Sequence, residues 1–398
     1  MNIYFITTKL NFVDGGGSSD EYDLMYRALQ KLSNRVTVIT AYSKGNKILA
    51  PLPYKVIEEN VSAIKQLGIQ YAVFKLLRKY EHDADMFHVD GNVFLYGAGF
   101  YRFSGGKAPV AAYFNSYLVV WPAKNSSLLS NNRKDNFLQI AKNKIRLFVE
   151  KNLMMPAANY IDFFEFTNPY LEERYNKFGL HTRGRSVIIG DPFDWPGLMK
   201  KCGIAMETYR GRNKKMGPFK LFYVSRMVPG RGFDLLIKAF AKLKNKENFR
   251  LVLAGNGPEE KSIQRLVGDS GLARYISLPG YLSKPELYKH LSDTDIYVHP
   301  HQWREISSMA LLTAMTFGIP SIVPGDGALS WVAKNSTLYF KDGDIDDLAE
   351  KIEQLSNDYN FRAELSQQCY ERLNEDEQNY QNQMGRVYQA MKKITKKV

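Results

Sequence analysis

Short apolar runs alternate with amphipathic stretches along the first half of the chain. Apolar runs of strand length occupy residues 3–7, 36–40, 86–89, 110–114, 160–166 and 187–189. Between the first two runs, Leu24, Ala28, Leu29 and Leu32 recur at the spacing of one helix face. Because the strand-like runs alternate with helical stretches, the pattern predicts an α/β fold with a parallel sheet covered by helices on both faces.

A second series of the same kind follows a change in composition. Residues 195–220 contain several lysines and arginines and few large apolar side chains, which indicates a linker. Apolar runs then recur at residues 219–224, 251–253, 276–278, 296–299 and 321–323. We therefore predict two Rossmann-like, doubly wound domains, residues 1–195 and 218–375, joined by a linker at 196–217. Residues 376–398 are expected to form a C-terminal helix that packs back toward the first domain.

The charge balance narrows the choice of partner. Lysine and arginine outnumber aspartate and glutamate by 54 to 41, which gives a formal net charge of +13. This favours nucleic acid, an acidic membrane face or a phosphorylated small molecule as partner. No recognisable RNA- or DNA-binding module accompanies the basic residues, so nucleic acid is not expected.

Other compositional features bear on location and metal content. The chain starts without a signal-peptide pattern and has no run of about 20 apolar residues, so a cytoplasmic location is expected. Cys202 and Cys369 are too far apart in sequence to indicate a disulfide framework, which agrees with a reducing compartment. His299 and His301 have no third ligand beside them, so no metal site is predicted.

Two loops that follow predicted strands carry groups suited to a phosphate ligand. Arg226 and Arg231 lie on a turn that opens a helix, where two guanidinium groups and backbone N–H groups can bind a diphosphate. The alternative is that both are solvated surface arginines. Gly255, Asn256 and Gly257 end the next predicted strand, where glycine allows close approach to a ligand or serves turn geometry alone.

A third loop follows the predicted strand at residues 296–299. Glu305 can accept hydrogen bonds from sugar hydroxyl groups, and the amides of Ile306, Ser307 and Ser308 can face a phosphate at the start of the next helix. The alternative is that Glu305 only compensates the helix dipole.

These motifs together resemble those of the retaining glycosyltransferases of family 4, which have the fold called GT-B. The matching segments are 225–236 (SRMVPGRGFDLL), 253–259 (LAGNGPE), 278–283 (LPGYLS), 313–323 (TAMTFGIPSIV) and 341–349 (KDGDIDDLA). The resemblance implies that two Rossmann-like domains face a cleft, that Arg226 and Arg231 hold the donor pyrophosphate and that Glu305 contacts the donor sugar. It also implies a nucleotide sugar as co-substrate, no other cofactor and no required metal.

One position departs from the family pattern. The family places a second glutamate eight residues after the first, where it grips the ribose diol, but this sequence has Thr313. Loss of a charged hydrogen bond costs roughly 1.5–3 kcal/mol. Three interpretations stay open: another residue holds the ribose, donor binding is weak, or activity has been lost.

The first half resembles the family more loosely. Gly16 and Gly17 match a glycine-rich loop beside the donor phosphates, or form a flexible turn before a capped helix. Asn115 or Ser116 falls where many members carry a histidine, so no general base is assigned. Asp90, at a predicted strand end, is a further acceptor-side candidate.

Residues 133–155 mix lysines and arginines with large apolar side chains. This pattern suits either a helix on an anionic membrane surface or a domain helix with a solvated basic face. Related enzymes often use lipid-linked acceptors, which is consistent with the membrane interpretation.

The predicted function is therefore transfer of a sugar from a nucleoside-diphosphate sugar to a hydroxyl group of a glycan or lipid-linked acceptor, in surface polysaccharide biosynthesis. Two alternatives remain. One is another nucleotide-sugar enzyme of the same fold, such as an epimerase or a phosphorylase. The other, supported by Thr313, is a non-catalytic partner subunit.

Overall fold

The computed structural model describes residues 1–13, 18–32, 34–62, 66–116, 145–206, 218–301, 308–325 and 327–396. These residues form two compact units. The first contains the described residues up to 193 together with 376–396, and the second is formed by Asp194–Glu375.

A seven-stranded parallel sheet forms the centre of the first unit. Its strands are β1 (Asn2–Thr7), β2 (Arg35–Thr40), β3 (Lys55–Glu58), β4 (Met86–Asp90), β5 (Val110–Phe114), β6 (Phe163–Phe166) and β7 (Ser186–Ile188). Their spatial order is β3-β2-β1-β4-β5-β6-β7. Every residue of β4, β5 and β6 is buried, which explains why these strands appear in the sequence as continuous apolar runs.

The principal helical segments among the described residues of the first unit precede the domain boundary. They are α1 (Ser18–Lys31), α2 (Gln66–Tyr80), α3 (Gly91–Phe103), a π-helical turn (Glu150–Met154) that continues into α4 (Met155–Ala158), and α5 (Pro169–Phe178). In α3, Gly97 lies against the Gln70 carbonyl of α2 and Gly99 against Ala158 of α4, so a β-carbon at either glycine would overlap backbone atoms. These glycines therefore allow α3 to pack closely on both neighbours.

The second unit contains a six-stranded parallel sheet. Its strands are β8 (Phe219–Val224), β9 (Phe249–Ala254), β10 (Ile276–Gly280), β11 (Ile296–Val298), β12 (Ser321–Pro324) and β13 (Thr337–Phe340), in the order β10-β9-β8-β11-β12-β13. The helices are α6 (Trp195–Cys202), α7 (Phe233–Lys242), α8 (Glu260–Asp269), α9 (Lys284–Ser292), α10 (Met309–Thr316), α11 (Ala328–Ala333), α12 (Ile345–Asn357) and α13 (Tyr359–Asn374).

Helix α6 occupies the first part of the segment predicted as a linker at 196–217, so that boundary differs from the prediction. Asp194 caps the helix by accepting a hydrogen bond from the Gly197 N–H at 3.1 Å. Gly203 ends it in the left-handed conformation, with φ 63°, and Leu198 is buried. Residues 207–217 lie outside the described residues.

The last helix, α14 (Tyr380–Thr395), returns to the first unit. It packs against α1, and Met384, Val387 and Met391 are fully buried in the same core cluster as Met25 and Leu29 of that helix. The C-terminal segment thus completes the hydrophobic core on one face of the first sheet.

Candidate functional site

The candidate donor site of the second unit lies where the order of its strands reverses. From β8 the chain proceeds to β9 and β10 on one side, and β11 to β13 lie on the other. In such sheets ligands bind outside the carboxyl ends of the strands at this switch point. The loops after β8, β9 and β11 carry the predicted donor-side residues.

The loop after β8 carries both candidate arginines. Arg226 is exposed and Arg231 is half-buried. The Tyr223 hydroxyl donates to the Arg231 carbonyl at 2.7 Å, and the Arg231 N–H donates to the Val228 carbonyl at 3.3 Å. The loop leads directly into α7. Both arginines therefore lie on a loop that leads into a helix N-terminus, a position suited to a diphosphate.

The loop after β9 packs backbone to backbone against the loop after β8. The Met227 N–H donates to the Asn256 carbonyl at 2.8 Å. Gly255 and Gly257 have φ of 129° and 152°, and a β-carbon at these positions would overlap the carbonyl oxygens of Ser225 and Met227 respectively. The two glycines thus allow the loop after β9 to pack closely against the loop that carries the arginines. The Asn256 side chain is exposed at this turn.

A buried group of aromatic side chains extends from β11 into the loop that follows it. The Tyr297 hydroxyl and His299 Nδ1 are 3.2 Å apart, and the His299 and His301 rings pack with centroids 5.6 Å apart. Both histidines are buried. Within the described ranges, no three histidine, cysteine, aspartate or glutamate side chains are grouped to hold a metal ion.

One of the predicted donor-side residues, Ser308, immediately precedes helix α10. Glu305, Ile306 and Ser307 lie outside the described residues. Ser308 caps α10, and its buried hydroxyl accepts a hydrogen bond from the Leu311 N–H at 3.1 Å. This bond satisfies one of the N–H groups that a helix start leaves without a partner.

Thr313, on the second turn of α10, is buried. Its hydroxyl donates to the Met309 carbonyl at 2.6 Å. Because a hydroxyl has a single hydrogen, Thr313 is left with acceptor capacity only toward a ligand.

In the first unit, strand order reverses between β1 and β4. Gly16 and Gly17, after β1, lie outside the described residues. Asp90 ends β4 and caps α3, accepting a hydrogen bond from the Asn92 N–H at 3.2 Å. Burial raises the pKa of Asp90 to about 6, although hydrogen bonds from Tyr22 and Asn92 act in the opposite direction.

Asn92 connects Asp90 to the other two acceptor-side candidates. Its Nδ2 donates to Asn115 Oδ1 at 2.6 Å, and its Oδ1 accepts from the Ser116 N–H at 3.1 Å. Asn115 Nδ2 in turn donates to Glu21 Oε2 at 3.0 Å. The structure therefore brings Asp90, Asn115 and Ser116 together through one polar network at the carboxyl ends of β4 and β5.

Glu21, on α1, is the most deeply buried carboxyl group of this network and accepts a short hydrogen bond from the Tyr113 hydroxyl. Burial raises the pKa of Glu21 to about 7, against the effect of its hydrogen bonds from Tyr113 and Asn115. Glu21 is not among the residues predicted from the sequence. The available signal was its spacing of four and eight residues from Met25 and Leu29, which places a carboxyl group on the apolar face of α1.

His88, next to this network, is a core residue. It is buried on β4, its Nε2 lies 3.1 Å from Glu165 Oε2 on β6, and its ring packs on Phe5. It therefore belongs to the interior of the sheet.

The fold of the chain is shared with solved structures. A solved structure of a glycosyltransferase from Rickettsia africae superposes with a TM-score of 0.73 over 100% of this chain and 99% of that one, at 12% identity. Anabaena HepE in complex with UDP and glucose superposes with a TM-score of 0.67, at 16% identity, over 100% and 99% of the two chains. The chain has the GT-B fold, as predicted.

The sequence comparison identifies the family. Residues 206–372 match the family described as Glycosyl transferases group 1. The predicted family is thus confirmed. A GDP-mannose-dependent alpha-(1-6)-phosphatidylinositol monomannoside mannosyltransferase of Mycobacterium tuberculosis is 28% identical over 141 residues, which are 33% of this chain and 37% of that protein. The aligned part thus spans about a third of this curated relative.

None of the helices in the described ranges combines the length and apolarity needed to span a bilayer.

Proposed function

We propose that the protein transfers a sugar from a nucleoside-diphosphate sugar to a hydroxyl group of a glycan or lipid-linked glycan acceptor. The observation that carries this proposal is the position of Arg226 and Arg231, on the loop between β8 and α7 and within the part that matches the glycosyl transferases group 1 family. The UDP and glucose bound by Anabaena HepE support a nucleotide-sugar donor. The name of the mycobacterial relative supports a lipid-linked acceptor.

In this reaction the bond between the anomeric carbon and the diphosphate oxygen breaks, and a bond from that carbon to the acceptor oxygen forms. The nucleoside diphosphate leaves, and its phosphate oxygen takes the acceptor proton. Arg226, Arg231 and the first N–H groups of α7 stabilise the negative charge that develops on the leaving diphosphate, a contribution that is usually among the largest in such chemistry. We propose retention at the anomeric carbon and no requirement for a metal ion.

The direct test screens UDP-, GDP-, dTDP- and ADP-sugars by calorimetry and assays product with and without glycan acceptors. Arg226→Ala and Arg231→Ala should each weaken donor binding by roughly 10- to 100-fold, because each removes a charge-assisted hydrogen bond. Arg265→Ala, an exposed arginine of α8, is the matched control and should leave binding unchanged. Absence of binding by all of these nucleotide sugars would overturn the proposal.

A non-catalytic, sugar-binding role is the second candidate, and the observation that favours it is Thr313 in place of a carboxylate. Binding of a nucleotide sugar without transfer to any acceptor would support this role. A new isomer of the donor sugar, formed in the absence of acceptor, would instead indicate an epimerase. Proton NMR of the product distinguishes these outcomes and reports the anomeric configuration.

We also propose that the first unit contacts an anionic membrane surface through residues 145–153. Three apolar side chains of this segment are strongly exposed, Ile145 at 66%, Phe148 at 65% and Leu153 at 63%, and Lys151 is exposed among them. Apolar side chains next to a basic one suit the boundary between headgroups and acyl chains. Residues 133–144 of the predicted basic helix lie outside the described residues.

Vesicle sedimentation tests this contact. Binding to vesicles of phosphatidylglycerol should exceed binding to phosphatidylcholine and decrease with salt. Phe148→Ser should weaken it by roughly tenfold or more, because a large apolar side chain no longer leaves water. Leu67→Ser, at an equally exposed position on α2, is the control. Equal binding of wild type and Phe148→Ser would contradict the proposal.

A further inference from the structure

A buried carboxyl group lies beneath the acceptor-side candidates. Glu21 is 3% exposed. One of its oxygens accepts from the Tyr113 hydroxyl and the other from Asn115 Nδ2 at 3.0 Å. Burying a carboxyl group costs free energy that an apolar side chain on the same helix face would avoid. The hydrogen bonds of Glu21 therefore call for an explanation other than stability.

These bonds fix the orientation of one side-chain amide. Asn115 donates through Nδ2 to Glu21 and accepts through Oδ1 from Asn92 Nδ2 at 2.6 Å. Reversing the amide would place its nitrogen against the Asn92 nitrogen and its oxygen against the carboxylate. In its ionised form the carboxylate only accepts hydrogen bonds, so it then selects a single orientation of Asn115.

The same network extends to the surface. Asn92 Oδ1 accepts a hydrogen bond from the Ser116 N–H, and the Asn92 N–H donates one to Asp90 Oδ1. Asn115 is half-exposed and Ser116 is exposed, and both lie at the carboxyl end of β5, beside the switch point of the first sheet. A buried acid is thus connected through two asparagines to a polar edge at the place where such sheets bind ligands.

We propose that Glu21 is a positioning residue for the acceptor: through Asn115 and Asn92 it fixes the polar edge, formed by Asn115 and Ser116, against which the hydroxyl groups of an acceptor sugar bind. This inference rests on the proposed function and adds to it the residue that organises the acceptor side. Glu21 itself acts through Asn115 and has no direct contact with the acceptor.

The test separates acceptor effects from donor effects. The probes are the nucleotide sugar that binds in the calorimetric screen and a panel of octyl glycosides as acceptors. Glu21→Gln keeps the size of the side chain but can turn an N–H donor toward Asn115 Nδ2. We expect transfer to the preferred octyl glycoside to fall by about tenfold or more, with a raised acceptor KM, since a hydrogen-bonded network is broken. Donor affinity and slow hydrolysis of the donor by water should stay within about a factor of two.

A compensating double variant distinguishes positioning from a general loss of structure. In Glu21→Gln with Asn115→Asp, the new amide donates to the new carboxylate, whose second oxygen still accepts from Asn92. The double variant should transfer better than either single variant, an interaction that independent substitutions do not show. Glu173→Gln, an exposed glutamate of α5 in the same unit that pairs with Lys177, is the control and should match wild type.

The outcomes are separable. If the wild-type protein transfers sugar and Glu21→Gln transfers it equally well, this inference is overturned and the proposed function is not. An equal loss of transfer and of hydrolysis, or a double variant no better than the singles, would also overturn it by indicating a purely structural role. A wild-type protein that binds none of the nucleotide sugars would overturn the proposed function and the inference with it.

Discussion

Gly232 lies directly against the backbone of Pro300, so that a β-carbon at position 232 would overlap the Pro300 carbonyl oxygen. The two residues belong to the loops that follow β8 and β11, on the two sides of the switch point. Gly232 also adopts the left-handed conformation, with φ 72°, immediately before α7. The contact therefore fixes the arginine loop relative to the loop that leads to α10.

Gly232→Ala should both destabilise the protein and impair donor binding. We expect a loss of about 1–3 kcal/mol in the free energy of unfolding, from the left-handed conformation and the overlap together. Gly343→Ala is the matched control, because it has a similar φ of 75° and nothing within 4 Å of the added carbon. Chemical denaturation and calorimetry with the donor measure the two effects. If both variants behave alike, the contact with Pro300 has no role in the site.

Thr313→Val tests how the ribose is held. Because the Thr313 hydroxyl already donates to Met309, we expect removal of that hydroxyl to change donor affinity by no more than about threefold, the lower range for one neutral hydrogen bond. This result would agree with a ribose held by another residue. A much larger loss of affinity in calorimetry, with an unchanged Tm, would show that Thr313 itself binds the donor.

The sequence predicts most of the strands because they are buried on both faces and appear as apolar runs. It misses β3, an edge strand whose four residues are all half-buried or exposed, and β13, whose two central residues are only half-buried. Helix α3 was missed for a different reason. Its residues are mostly apolar and include three glycines, so they show no single-faced stripe.

The donor-side residues of the second unit and the acceptor-side residues of the first unit differ in how well the sequence predicts them. Arg226 and Arg231 are five residues apart on one loop, so their motif reveals their position. The acceptor-side network instead joins residues that are 94 and 23 positions apart, Glu21 with Asn115 and Asn92 with Asn115. Only the packing of α1 and α3 on the sheet brings these residues together, and no local pattern specifies it.

Met391→Ala tests whether the C-terminal helix is part of the first unit. Met391 is fully buried in the core between α14 and α1, so truncation should cost about 2–5 kcal/mol of the free energy of unfolding. Met206→Ala, at a residue that is 43% exposed, should change stability by less than about 1 kcal/mol. Urea denaturation measures both. A small effect of Met391→Ala would indicate that α14 is dispensable for this core.

The pH dependence of stability should reveal the buried carboxyl group of Glu21. Its pKa is about 7 in the folded protein, against an ordinary value of 4.5. Between these two values the folded state binds more protons than the unfolded state, so the free energy of unfolding decreases as the pH rises through this window. The contribution of the Glu21 carboxyl group to the free energy of unfolding is fully present below the ordinary pKa and is lost above the pKa of the folded protein. This change is on the order of 3 kcal/mol.

Glu21→Gln removes this titration and leaves that of Asp90, whose pKa is raised in the same direction. The stability of Glu21→Gln relative to wild type should therefore increase from about pH 5 to about pH 8. Urea denaturation across this range measures the difference. Glu173→Gln provides a control of opposite sign, because the hydrogen bond with Lys177 lowers the pKa of Glu173, and its stability relative to wild type should not increase with pH. A constant difference between Glu21→Gln and wild type would mean that Glu21 titrates alike in the folded and unfolded protein.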